Sequence, residues 1–324
     1  MRQGQELVQK KAPAFNPLIV PEFGVTPAGQ PMSYNRGPSR DLAPWIGRIY
    51  ISKVVLPPDY TLECSQFNDI ACLRLQLAGR WAAKTANGWE EAERSACLFG
   101  PQTHPMPVRV SGSFTNIGVA IRPGASTALK GVPLGEIVNR LVRTGDLGLP
   151  EDELLARFAP EGTPEDWARA LEDLFRERVE ETGGAVPDPI SVQFEQLAYR
   201  TPSMTVAQAA RDCGVDRRRL ERVILRDYGL PPKQVLRRAR ALDMASHLRG
   251  VGDRSEAEAI MLRYYDESHL IHEFADLFGV SPGQFAATAQ PLLTLSLEAR
   301  QARRLEDLKR IAPGDARPWQ KAPA

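Results

Sequence analysis

The chain has 324 residues, 43% of them hydrophobic, and a formal net charge of +1. That length suggests two domains with ordinary cores, and the near-neutral balance points to no partner. Four cysteines without paired spacing, no apolar leader after Met1-Arg2-Gln3-Gly4 and no run of membrane-spanning length argue against secretion or a bilayer and for a reduced, cytoplasmic protein.

Residues 1–40 are polar, rich in Pro and Gly and without periodicity, and read as mostly irregular. A region at 41–182 follows. Its first part alternates as strands do: Ile49, Ile51, Val54 and Val55, then Tyr60, Leu62 and Cys64, then Leu73, Leu75 and Leu77 around Arg74 and Gln76. Ser95 to Phe99, Val108 to Val110, and Ile117, Val119 and Ile121 continue the series, and short strands at such spacing suggest a β-barrel or sandwich. His104 is the only histidine in it, so no metal site is expected. Cys64, Cys72 and Cys97 read as small core residues, while Trp81, Trp89 and Phe99 fit either a ligand pocket or plain core.

Leu134, Ile137, Val138, Leu141 and Val142 have the spacing of one helical face. Thr163-Pro164-Glu165-Asp166 is a helix start before Trp167, Leu171 and Leu174. Residues 183–189, Gly-Gly-Ala-Val-Pro-Asp-Pro, read as a linker, and Ile190 to Arg200 as a lead-in helix.

The segment 205–285 contains one pattern twice. Asp216, Leu220, Ile224, Gly229, Leu230, Pro232 and Gln234 return fifty residues later as Asp266, Leu270, Phe274, Gly279, Val280, Pro282 and Gln284. In each copy the aspartate can cap a helix, the next two residues share a buried face, and the glycine and proline end it. Thr205 to Asp212 forms a short helix before the first copy, turned by Cys213-Gly214-Val215, which makes a helix-turn-helix; Ala257 to Arg263 precedes the second. Pro232 to Leu248 joins the copies, and beyond Pro291 the span from Leu292 to Ile311 reads as a further helix, with Leu297, Leu305, Leu308 and Ile311 on one side, ahead of a frayed end.

Ala210, Gly214, Leu220, Arg222, Gly229, Pro232 and Lys233 in the first unit carry a resemblance, as do Asp266-Glu267-Ser268-His269-Leu270, Phe274 and Gly279-Val280-Ser281-Pro282 in the second. Over about a hundred residues, 190–290, the chain resembles the DNA-binding domain of AraC/XylS-type transcriptional regulators. Glu258 and Arg263 depart from the family pattern, which prefers an apolar residue and the turn glycine there. The resemblance implies an α+β multidomain protein: a cupin-like β-barrel with packed helices for sensing and dimerisation, then an all-α domain of two helix-turn-helix units, with 291–324 as a terminal helix and tail. It further implies double-stranded DNA as partner, a homodimer formed through the helices of 132–180, a small-molecule effector, and the contact with RNA polymerase that an activator makes.

With Leu220, Val223 and Ile224 turned inward, Arg218, Glu221 and Arg222 form the outer face of the first reading helix. Arginine can pair with guanine, and glutamate can accept from cytosine. Arg217 and Arg219 flank that face, and Arg226, Lys233, Arg237 and Arg238 are candidates for phosphate contacts. The matching residues of the second helix are Ser268, Ile271 and His272, beside Glu267. His269, His272 and Glu273 have helical metal-ligand spacing, but nothing nearby completes a site, so no metal, cofactor or catalytic residue is expected. From Leu197 to Gly250 twelve basic residues face five acidic, a net of +7; from Val251 to Gln290 two face seven, a net of −5. Two rival readings are a cupin-type enzyme fused to a helix-turn-helix domain, and a regulator with degenerate DNA binding that acts through protein contacts.

Overall fold

A computed structural model describes residues 16–320 except 17, 28, 254–255 and 257–266; the side chains of 267–270 also lie outside the described residues. Eight antiparallel strands make one sheet: β1 (Val20–Pro21), β2 (Tyr34–Arg36), β3 (Ile46–Val55), β4 (Thr61–Gln66), β5 (Cys72–Thr85), β6 (Gly88–Phe99), β7 (Met106–Ile121) and β8 (Leu141–Arg143). β7 is the spine. One of its edges pairs with β4 through Met106 to Ser111 and with β3 from Phe114 onward, while the other pairs with β5.

The expected barrel does not close. Pairing runs along an open path, β1-β3-β7-β5-β6-β8, with β2 added on β3 and β4 on β7. A bulge between Gln76 and Arg80 bends β5 across β7. Gly79 makes the bend, at φ +88°, where a Cβ would come within 2.7 Å of the Phe114 Cβ.

Helices cover both faces of the sheet. Ile49, Ile51, Leu75, Ile117 and Val119 pack against α1 (Glu151–Ala156) and α2 (Pro164–Glu181) through Leu154, Leu155, Trp167 and Leu171. Thr163 and Asp166 form the capping box expected at the start of α2. The opposite face (Val54, Leu62, Cys64, Trp81, Val108, Phe114) shares its core with helices of the C-terminal half. Burial on both sides explains why Arg74 and Gln76, which look like a wet face in the alternation of β5, are 3% and 4% exposed. The helix expected over Leu134 to Val142 is instead a 3₁₀ turn (Leu134–Ile137) followed by β8; Leu134 and Ile137 bury against Ala71 and Leu98, and β8 extends the sheet beside β6.

The C-terminal half holds α3 (Pro189–Arg200), α4 (Val206–Asp212), α5 (Arg217–Tyr228), α6 (Pro232–Leu248), α7 (Glu267–Phe278), α8 (Pro282–Ala287) and α9 (Pro291–Asp307). α9 is a core element. Fourteen of its seventeen residues are buried, because it lies between α6 on one side and β3 and β4 on the other. Leu297→Ala should cost about 2–5 kcal/mol of stability, readable as a lower urea midpoint. The tail beyond it is tied down: Arg317 pairs with Glu298 at 2.5 Å, and the buried Trp319 donates its indole N–H to the same carboxylate at 3.2 Å. The fraying expected there does not extend to these residues.

Candidate nucleic-acid interface

Local chemistry sets the first helix-turn-helix. Thr205 caps α4 in a reciprocal box with Gln208, Gly214 turns the corner at φ +66°, and Asp216 caps α5 by accepting from the Arg219 amide at 2.9 Å. Leu220, Val223 and Ile224 bury against Phe194, Ala209 and Ala210, as their spacing predicts. Gly229 ends α5 at φ +68°, and the glycine is needed for a second reason: a Cβ there would meet the Leu134 carbonyl oxygen at 2.7 Å. The end of the helix therefore docks on the 3₁₀ turn of the sheet region. Asp227, fully buried beside it, accepts from Ser191 at 2.5 Å and Thr127 at 3.1 Å.

That anchoring sorts the predicted contact residues. Arg217, Arg218, Arg219 and Arg222 are exposed, and Arg217 donates to the half-buried Glu221 at 2.8 Å across one helical turn. Arg218, Arg219 and Arg222 make no ion pair among the described residues. Lys233 is exposed at the start of α6. Arg226 is engaged with Asp227 at 2.6 Å and Asp188 at 3.2 Å, and Arg237 with Glu273 at 3.2 Å and Asp276 at 2.7 Å. Arg238 cannot serve as a phosphate contact. It is 2% exposed and donates to the backbone carbonyls of Gln102 and Asp69 under the sheet, so its place on α6 is structural.

The pattern of charges missed one residue of this face. Leu225 is exposed one turn beyond Arg222 and two beyond Arg218. The i, i+3, i+4, i+7 series 218, 221, 222, 225 would have found it.

In the second unit, α7 ends at Gly279 with φ +71°, as expected, and Ser281 caps α8 in a box with Gln284. Phe274 and Phe278 stack, Phe285 meets both edge-on, and Phe278 meets Phe67, just past β4, edge-on at 5.3 Å. Ile271 is half-buried and His272 exposed. Glu273 is buried and takes hydrogen bonds from Arg240. The side chains of Glu267, Ser268 and His269, the cap expected at Asp266 and the helix expected before it lie outside the described residues. No group of three metal-ligating side chains occurs among the described residues.

Residues 209–288 match the sequence profile of a family described as a helix-turn-helix domain, and residues 35–143 that of a domain of unknown function, DUF6597. No curated protein matches the chain. Among solved structures, ToxT from Vibrio cholerae is similar at 13% identity and a TM-score of 0.42, over 74% of this chain and 98% of that one. ToxT of strain SCE256, solved with an unsaturated fatty acid bound, gives 10%, 0.40, 74% and 94%. The AraC-like transcriptional activator CuxR gives 18%, 0.25, 60% and 76%. No helix among the described residues is long and apolar enough to cross a membrane. With two capped helices at a glycine corner, a basic outer face and a matching profile over 209–288, the chain carries a C-terminal helix-turn-helix domain of the AraC type.

Proposed function

We propose that the protein is a cytoplasmic, sequence-specific DNA-binding transcription regulator that reads DNA chiefly through α5. The observation that carries this reading is the exposed series Arg218, Glu221, Arg222 and Leu225 on a helix whose other face is fully packed. In the major groove, guanidinium groups can pair with guanine O6 and N7, and a leucine can touch a thymine methyl. Arg217, Arg219 and Lys233 supply positive charge for phosphates on either side. Arg226 and Arg237 reach phosphate only by leaving their carboxylates. In the second unit, Ile271 and His272 contribute from α7, with Glu267 and Ser268 at its start.

The sheet region, residues 41–182, acts in this reading as a sensing and dimerising part, responding to a small molecule and joining two chains through its helices, and the DNA-bound dimer contacts RNA polymerase. No enzymatic step is assigned to it. Selection of bound fragments from the source genome, followed by fluorescence anisotropy of the full chain on the enriched sequence, tests the reading. A specific site bound at least a thousandfold more tightly than random duplex is expected; equal affinity for both would overturn it. Sedimentation of the full chain at tens of micromolar tests the dimer, and a monomer there would remove that part.

A further inference from the structure

Between the sheet and the C-terminal helix lies a cavity of about 40 Å³, whose lining includes no residue of the reading helix. One wall is Arg48 and Tyr50 of β3 with Asn68 and Arg74 around the start of β5; the other is α9, which turns Ser296, Ala299 and Arg303 toward it. The small side chains on α9 leave the space, and Gly118 lets the Tyr50 ring lie flat on β7, where a Cβ would come within 2.1 Å of Cζ.

The charge imbalance of the lining falls on one residue. Arg48, Arg74, Arg300 and Arg303 border the cavity, and among the described residues Asp69 is the one carboxylate in its lining. Arg48 has Glu306 at 2.6 Å; Arg300 and Arg303 share Asp69 at 3.1 and 3.0 Å, and each has a second carboxylate behind the wall, Asp243 at 2.6 Å for Arg300 and Glu195 at 3.8 Å for Arg303. Arg74 has no carboxylate partner among the described residues. It is 3% exposed and donates to Tyr50 at 2.7 Å, Asn68 at 2.9 Å and Gln66, all neutral acceptors, beneath the Phe99 ring. Burial pushes the Tyr50 phenol far up, so it stays protonated and offers no counter-charge. A buried cation without an opposite charge is costly. Two further buried donors that line the cavity, Asn68 Nδ2 and Arg303 Nε, find no acceptor among the described residues. Groups left over in this way are all donors or cations, so the matching guest is an acceptor with negative charge.

We infer that this cavity binds a small oxoanion, a carboxylate or phosphate group, between Arg74 and Asn68 of the sheet and Arg303 of α9. Its volume is about three times the roughly 10–15 Å³ a single water requires, which suits one such group and not a bulky ligand. Since one wall belongs to the sheet and the other to a helix packed on α6, the anion fastens the sheet to the DNA-reading half. This deepens the sensing role proposed above and rests on that reading for its regulatory consequence, while the binding itself does not depend on DNA.

Thermal melts and calorimetry on the full-length protein, with sodium phosphate, sulfate and acetate against chloride at equal ionic strength, test the site. A saturable rise in melting temperature beyond the chloride control is expected; comparing phosphate with acetate separates the two sources of the group. Asn68→Asp places a carboxylate against Arg74 in the same shape. It should raise the melting temperature without added anion and weaken oxoanion binding at least tenfold. Arg74→Gln should also abolish binding, and if it fails to fold, Asn68→Asp decides alone. Arg218→Ala on the reading face should leave anion affinity unchanged. Oxoanions that do no more than chloride, or binding lost in Arg218→Ala and kept in Asn68→Asp, would overturn the site. DNA binding measured on the same preparations separates the two ideas: anion binding without specific DNA binding sinks the regulator reading alone, and the converse sinks this site alone.

Discussion

The two helix-turn-helix units share one set of backbone devices and use their charges in opposite ways. In both, a glycine at positive φ stops the second helix and a proline starts the next. In the first unit, Arg218, Arg219 and Arg222 stand in solvent. In the second, Glu273 and Asp276 hold Arg237, and Glu273 also holds Arg240, so acidic residues of α7 fix it to basic residues of α6. A net of +7 for one segment and −5 for the other therefore overstates the contrast that DNA would feel, because part of each total is consumed in joining the two. Segment charge is a fair guide to partners where the side chains are free, and a poor one where folding has already paired them.

The largest effect that can break this division belongs to α5. Arg222→Ala and Arg218→Ala should each weaken binding to the cognate site by about 1–3 kcal/mol, roughly five- to 150-fold, and relax preference at one base pair. Anisotropy against a set of single-base variants measures both. If both substitutions leave affinity and preference unchanged, the first unit is not the reader.

Next in size is the release of Arg237. Asp276→Asn removes the exposed one of the two carboxylates that hold Arg237 and leaves Glu273 at 3.2 Å as its partner, and an ion pair as exposed as the one removed stabilises the fold by little. Binding should tighten a few-fold on all sequences, and the slope of log affinity against log salt should steepen by about 0.9 if the freed arginine takes one phosphate. An unchanged slope would mean that Arg237 stays with Glu273 and that the second unit stands off the duplex. His272→Ala is the smaller companion. Its ring is exposed on α7 without a described partner, and a loss under threefold in the same assay is expected; a loss exceeding that of Arg222→Ala would transfer the main reading role to the second unit.

What the sequence showed, it showed through local rules. Asp216, Thr205, Thr163 and the glycines at 214, 229 and 279 set element ends from within a few residues of themselves, so the first unit and the ends of α2 and α5 were legible. Arg238, read as a phosphate contact, and Arg74, whose burial the alternation of β5 does not reveal, share one reason. Each sits in a pattern that looks half-exposed, and each is covered by chain from far away: Arg74 in the sheet wall that faces α9, and Arg238 beneath the loops that carry Asp69 and Gln102. The apolar spacing at 134–142 fitted a helix equally well as a 3₁₀ turn followed by an edge strand, and pairing of β8 with β6 decided it. The closed barrel was carried by resemblance, and strand order, which settles closure, is not written in any one segment.

The smallest effect concerns how firmly the second unit is held, and it is read through pH. His247, half-buried near the end of α6, has its pKa held below the usual 6.5, because burial of the charged ring outweighs the attraction of Asp243, Glu256 and Asp253, and Arg304 adds repulsion. In the unfolded chain the ring titrates near 6.5. Between those two values the unfolded state binds more protons, so this contribution is fully present above pH 6.5 and is lost as pH falls through the folded value. Asp243 does not cancel it: burial alone would push that carboxyl up, yet Arg304 and Arg300 hold it low, and it stays charged throughout. Glu195, pushed up by burial, works in the opposite sense, so the useful quantity is wild type minus His247→Gln at each pH. Wild type minus His247→Gln in urea midpoint should fall from pH 7 to pH 5, and protection against amide exchange should be lost in α6 and α7 before α5 on acidification. A difference that is flat over that range, or exchange that rises first in α5, would show that the two units are held with equal firmness and differ only in the charges they present to DNA.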